Sequence, residues 1–187
     1  GMVLCSTDFT AAELCGLGQI HLWKFGKSVY AEMAERGIDL HAPVAAELWG
    51  ISLDEFLAIY ADESHPKFQE AKTVYRQCAK ALNFGGWGGL GPRKFVTYAL
   101  GLEPPVNLAE VARKTGKYAE LADVFARIAR DGDTRTMRKL QRWELATERD
   151  DGTWDVPVTP TTTDLYVACA YAERILNVLR REAVPEG

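Results

Sequence analysis

Residues 72–91 read KTVYRQCAKALNFGGWGGLG. At the helical period of about 100° per residue, the segment from Phe68 onward has two unlike sides. Phe68, Ala71, Tyr75, Cys78 and Leu82 fall together in alternating three- and four-residue steps and form the expected core face. Arg76, Lys80 and Phe84 follow one another at four-residue intervals nearly opposite, among Gln69, Thr73, Gln77 and Asn83. That side is expected to meet solvent or a ligand. Two cations four residues apart with no acid between them repel each other in an isolated helix. From Ala71 to Leu102 there are five basic residues and no Asp or Glu; this stretch carries +5 and the whole chain −4, so the rest carries −9. Such a local inversion of charge suits a phosphate-binding face. A solvated helix face that ends near an aromatic fits the composition equally well.

The spacing Arg76-x3-Lys80-x3-Phe84-Gly85, with Asn83 before the Phe, resembles the fingers-helix motif of the family A DNA polymerases, the relatives of bacterial DNA polymerase I. Two further segments resemble that family in the same order along the chain. Asp8-Phe9-Thr10-Ala11-Ala12-Glu13-Leu14 is similar to its first palm motif, Asp-Tyr-Ser-x-x-Glu-Leu. Gly37-Ile38-Asp39-Leu40-His41 followed by Ala45-Ala46-Glu47-Leu48-Trp49-Gly50 is similar to the segment that precedes the nucleotide-binding helix. The chain departs from the pattern at Phe9 (a Tyr in the family), at Cys15 (usually an Arg) and at Gly88-Gly89, where the family has Tyr-Gly; Trp87 is the candidate substitute for that Tyr.

The resemblance implies a template-directed nucleotidyl transfer that uses a dNTP, primer-template DNA and Mg²⁺. Two-metal transfer needs a carboxylate to hold Mg²⁺ between the attacking 3′-oxygen and the triphosphate, and Asp8 matches the metal-ligand position. Asp8 and Lys80 are thereby implied as catalytic. Glu13 matches the residue that closes the space beside the sugar 2′-carbon. His41, Arg76 and Lys80 are implied on the phosphates, and Phe84 beside sugar and base. Read without the resemblance, Thr10 and Glu13 are the ends of a capping box, and a lone His at a helix start is a local hydrogen-bonding group.

The family's second palm carboxylate, in a His-Asp-Glu turn, has no counterpart in this sequence. The polypeptide alone is therefore expected to polymerise slowly or not at all, as a truncated piece, a split enzyme completed by a second polypeptide that supplies the missing carboxylates, or a degenerate remnant. The alternative is a noncatalytic nucleic-acid-binding or helical assembly protein derived from a polymerase.

Around these motifs, 187 residues suffice for one domain or two small lobes. Cys5, Cys15, Cys78 and Cys169 show no CxxC spacing, and His21, His41 and His65 do not pair with them. That argues against a zinc site or a disulfide framework and for reduced thiols in the cytoplasm. The apolar runs are too short for a membrane span, so no membrane partner is expected.

The expected fold is α+β and predominantly α-helical: a partial palm strand at residues 1–10, a fingers-like helical region at 11–103 with the nucleotide-binding helix at about 66–85, and a helical region at 104–187 leading back towards the palm. Two helices are expected between Ala11 and Arg36, broken near Gly26, with Leu14, Leu17, Ile20, Val29, Tyr30 and Met33 inward and Trp23 and Phe25 as packing residues. Capping residues are expected at Ser52 and Asn107, and a break at Gly116. The run Gly85–Gly89 is expected to end the helix after Phe84. Residues 134–149 read as a solvated helix, and a loop or short hairpin around Asp151-Gly152 precedes a final helix from Thr161 to Val184.

Overall fold

The computed structural model describes residues 12–182; the expected palm strand at 1–10 and the Thr10 cap lie outside them. The described chain is predominantly α-helical with one two-stranded β element. It divides into two compact units, Gly1–Leu40 with Arg180–Gly187, and His41–Leu179.

In the first unit, α1 (Ala12–Phe25) is followed by Gly26, whose φ of 72° only glycine adopts without strain. Ser28 then caps α2 (Val29–Glu35) by accepting from the Ala31 N–H at 3.3 Å. A Cβ at Gly18 would stand 3.0 Å from the Tyr30 Cβ, so α1 and α2 pack closely there. Leu14, Tyr30 and Met33 are buried as expected. Ile20, Trp23 and Val29 are not: Trp23 is 86% exposed and Ile20 55%. In helices this short, the narrow contact arc is claimed by Gly18 and His21 instead. Burial, helped by Lys24, holds the His21 imidazole below the usual histidine value.

The second unit begins with α3 (Ala42–Trp49), which carries Pro43 in its first turn and ends at Gly50 in the left-handed region (φ 74°). Ser52 caps α4 (Leu53–Ala61) by accepting from the Glu55 N–H at 3.2 Å. The central helical run comprises α5 (Phe68–Glu70), a π turn (Ala71–Tyr75) and α6 (Arg76–Trp87) without a break. Then come α7 (Pro92–Leu100), α8 (Leu108–Lys114), α9 (Tyr118–Asp131) and α10 (Thr134–Arg142). Asn107 caps α8 by accepting from the Ala109 and Glu110 N–H groups, and Gly116 (φ 70°) makes the break before α9.

The expected helix over 134–149 stops at Arg142. Trp143 and Leu145 are both buried, and reaching the core with both requires the turn that Glu144 makes at φ 63°. The chain then forms the hairpin, β1 (Thr147–Glu148) antiparallel to β2 (Trp154–Asp155), with Glu148 opposite Trp154.

The last helix, α11 (Pro160–Glu182), threads the core of this unit with Val167, Tyr171 and Leu176. Tyr171 donates to Glu47 of α3 at 2.7 Å, Arg113 of α8 pairs with Asp164 at 2.6 Å, and Lys139 of α10 pairs with Glu173 at 2.5 Å. Burying Phe56, Phe95 and Phe125 completely contributes about 1.5–3 kcal/mol each.

Candidate phosphate-gripping helix

The π turn decides which side of the central helix faces inward. An i→i+5 turn accommodates one residue more than an α-turn, so the core-facing arc of the residues beyond it moves along by about one position. Phe68, Ala71, Val74, Cys78 and Leu82 are buried, and so are Ala79 and Asn83; Tyr75 is only half-buried. Asn83, expected on the open face, is fully buried. Burial pushes the Cys78 thiol up to about 12, so it stays protonated at neutral pH and serves packing.

Asn83 meets His41. Its Nδ2 lies 2.9 Å from His41 Nδ1 and, in this amide orientation, donates to that ring nitrogen. The Asn83 Oδ1 has no hydrogen-bond partner among the described residues. The His41 ring also meets Phe84 edge-on, with centroids 5.5 Å apart. His41 is 2% exposed, so it backs Phe84 rather than opening to solvent.

The cations of the helical run lie over rings. Lys67 Nζ is 5.8 Å from the Trp49 ring, Lys72 Nζ 5.3 Å from Phe68, the Arg76 guanidinium 5.7 Å from Tyr60, and Lys80 Nζ 5.7 Å from Phe84. The rings themselves are linked: Trp49 stacks on Tyr75 at 4.5 Å, Phe56 on Tyr60 at 5.7 Å and Tyr60 on Phe68 at 5.8 Å. Cation–π contact at exposed positions is worth about 0.5–1 kcal/mol, enough to offset i, i+4 repulsion of a few tenths. Arg93, counted in the positive stretch, has an acid from outside it: Glu144, at 2.6 Å.

The glycine run does not end the helix after Phe84. Gly85 and Gly86 are helical, α6 continues to Trp87, and Gly89 at φ 85° makes the exit. The Leu90 N–H donates back to the Gly85 carbonyl at 2.6 Å, the 6→1 bond of a Schellman cap. A Cβ at Gly85 would stand 2.6 Å from Leu90 Cδ2, and one at Gly86 2.9 Å from Leu176 Cδ2. These glycines are required by close packing. The side chain of Trp87, the candidate substitute for the family's Tyr, lies outside the described residues.

Thus His41, Arg76, Lys80 and Phe84 share one unit, and His41, Phe84 and Lys80 form a layered contact. Glu13 is exposed in the first turn of α1, in the other unit. Asp8, the implied Mg²⁺ ligand, lies outside the described residues. Among the described residues no group of three or more His, Cys, Asp or Glu side chains could hold a metal ion. The side chains carried on this helix, two cations and an aromatic ring, are suited to binding and orienting an anionic tail. The sequence missed Asn83 as a partner of His41, because the buried arc beyond the π turn takes in Ala79 and Asn83 as well as the expected Cys78 and Leu82. No helix among the described residues is long and apolar enough to cross a membrane.

Comparison with known proteins adds no relative. No family model, no curated protein and no solved structure matches the chain.

Proposed function

We propose that the chain is the nucleotide-gripping part of a DNA polymerase of the family A type, binding a dNTP and primer-template DNA for template-directed nucleotidyl transfer. In this reading Arg76 and Lys80 take the triphosphate, because they project four residues apart from one side of a rigid helix and their charge-assisted hydrogen bonds suit phosphate oxygens. Phe84 lies beside sugar and base. His41, which the resemblance implies on the phosphates, lies buried against the edge of the Phe84 ring and holds it in place beside the nucleotide. Glu13 discriminates at the sugar, and Asp8 belongs to the palm. The remaining palm carboxylates come from outside these 187 residues, from further chain or from a second polypeptide.

The observation that supports this reading is the edge-on contact of His41 with Phe84. It joins two segments 43 positions apart in the sequence, both of which the resemblance to the polymerase family assigns to one nucleotide. The test is titration of a deoxynucleoside triphosphate into the wild type and the Arg76→Ala and Lys80→Ala variants. A charged hydrogen bond is worth about 1.5–3 kcal/mol, so each variant is expected to bind about 10–100-fold more weakly. Wild-type affinity in both variants overturns the assignment.

A further inference from the structure

The acids around α10 are already engaged. Asp131 pairs with Arg130 at 2.7 Å, and Asp133 accepts from the Thr136 N–H at 2.8 Å as the N-cap of the helix. Beyond its other end, Glu144 pairs with Arg93, and Glu173 of α11 takes Lys139, which also lies 4.7 Å from the Trp143 ring. Arg135, Arg138 and Arg142 are exposed and form no ion pair among the described residues. Their spacing of three and four residues places them within about 60° of one another around the helix and along about 10 Å of its length. No Asp or Glu occurs between Thr134 and Trp143.

We propose that this arginine row binds the sugar-phosphate backbone of a nucleic acid without reading its bases. Three like charges on one helix face repel; Asp131, Glu144 and Glu173 pair with other cations, and Asp133, the carboxylate nearest Arg135, caps the helix without forming an ion pair. A polyanion relieves that repulsion. Guanidinium groups suit phosphate oxygens because they offer forked, always-charged donors. A folded acidic protein fits less well, since an interface core requires apolar or aromatic anchors and every exposed residue of α10 (Thr134, Arg135, Arg138, Gln141, Arg142) is polar. An anionic membrane surface fits less well for the same reason. The inference rests on the proposed function for its partner class, a nucleic acid, but it uses none of the α6 residues, so it can fail independently of the triphosphate assignment.

The experiment measures binding of the full chain to a labelled oligo(dT) and to a labelled duplex of unrelated sequence, across a series of salt concentrations. The probes are compared with polyglutamate and with phosphatidylserine vesicles at equal charge. We expect the wild type to bind nucleic acid more tightly than either competitor. The R135Q/R138Q/R142Q variant should bind at least tenfold more weakly at low salt, with the slope of log K against log salt shallower by about 2–3, since each neutralised phosphate contributes about 0.7–0.9. Triphosphate binding by this variant should stay at the wild-type level, which separates failure here from failure at α6. If the triple variant does not fold, R138Q alone should reduce the slope by about 0.7–0.9. An unchanged slope, no binding by the wild type at low salt, or equal binding of polyglutamate or vesicles overturns the proposal.

Discussion

The two basic helices of the second unit use their charges in opposite ways. Along the central run, Lys67, Lys72, Arg76 and Lys80 each lie over an aromatic ring, whereas Arg135, Arg138 and Arg142 of α10 form no ion pair and lie over no ring among the described residues. A cation held against a ring has lost part of its rotamer freedom before any ligand arrives, so it suits a small ligand whose phosphates occupy fixed positions. A cation with free rotamers suits a chain of phosphates that can be met at many registers. The difference between the helices is one of ordering as much as of charge.

The most severe challenge to this contrast is Gly85→Ala, which attacks the helix end where Lys80 and Phe84 are held. The new Cβ would stand 2.6 Å from Leu90 Cδ2 and 2.9 Å from Leu90 Cβ. Leu90 is fixed by its backbone bond to Gly85, so it cannot simply swing away. Overpacking of this kind costs about 1–3 kcal/mol, to be read by urea unfolding. Wild-type stability would mean that the glycine exit is not what holds this end of the helix. Gly16, with nothing among the described residues within 4 Å of its would-be Cβ, is the control: Gly16→Ala should stabilise by up to about 1 kcal/mol.

A finer probe is Tyr60→Leu, which leaves Arg76 in place and removes the ring it lies over. If ordering of the guanidinium matters, triphosphate affinity should fall about two- to fivefold, the equivalent of the 0.5–1 kcal/mol of an exposed cation–π contact. Unchanged affinity with native stability would erase the distinction between the two helices. The smallest effect concerns α10. Hydrogen bonds from Thr136 hold the Asp133 carboxyl below its ordinary value of 3.8. A depressed folded value means that the contribution is fully present above the unfolded pKa and is lost as pH falls through the folded one. Thermal melts of the wild type should therefore lose this contribution below about pH 4, and Asp133→Asn should remove that part of the acid dependence while leaving a cap in place.

Much of the fold is legible because the signals are local. Ser52 and Asn107 accept from N–H groups two or three residues ahead, and Gly26 and Gly116 break the helices at positive φ. These are decided within one turn of chain. What the sequence hid depends on partners far away. Glu144 ends α10 because Trp143 and Leu145 both reach the core, and Ile20 and Trp23 are exposed although they fit an apolar pattern. At the candidate site, the four-residue spacing of Arg76, Lys80 and Phe84 follows from helical period alone. The rings beneath the cations do not, since Tyr60 reaches Arg76 only through the packing of α4 against the central run. Asn83 was misplaced because periodicity assumes a constant pitch, and residues 71–75 break it.

That widened turn gives the protein an aiming device independent of any side chain. Arg76, Lys80 and Phe84 all follow it, so their mutual spacing is indifferent to it, yet their bearing relative to Trp49 and Tyr60 is set by the surplus residue it accommodates. Deleting one codon between 71 and 75 would return the run to uniform pitch and swing everything downstream by about 100°, turning the cations off their rings with no charged residue altered.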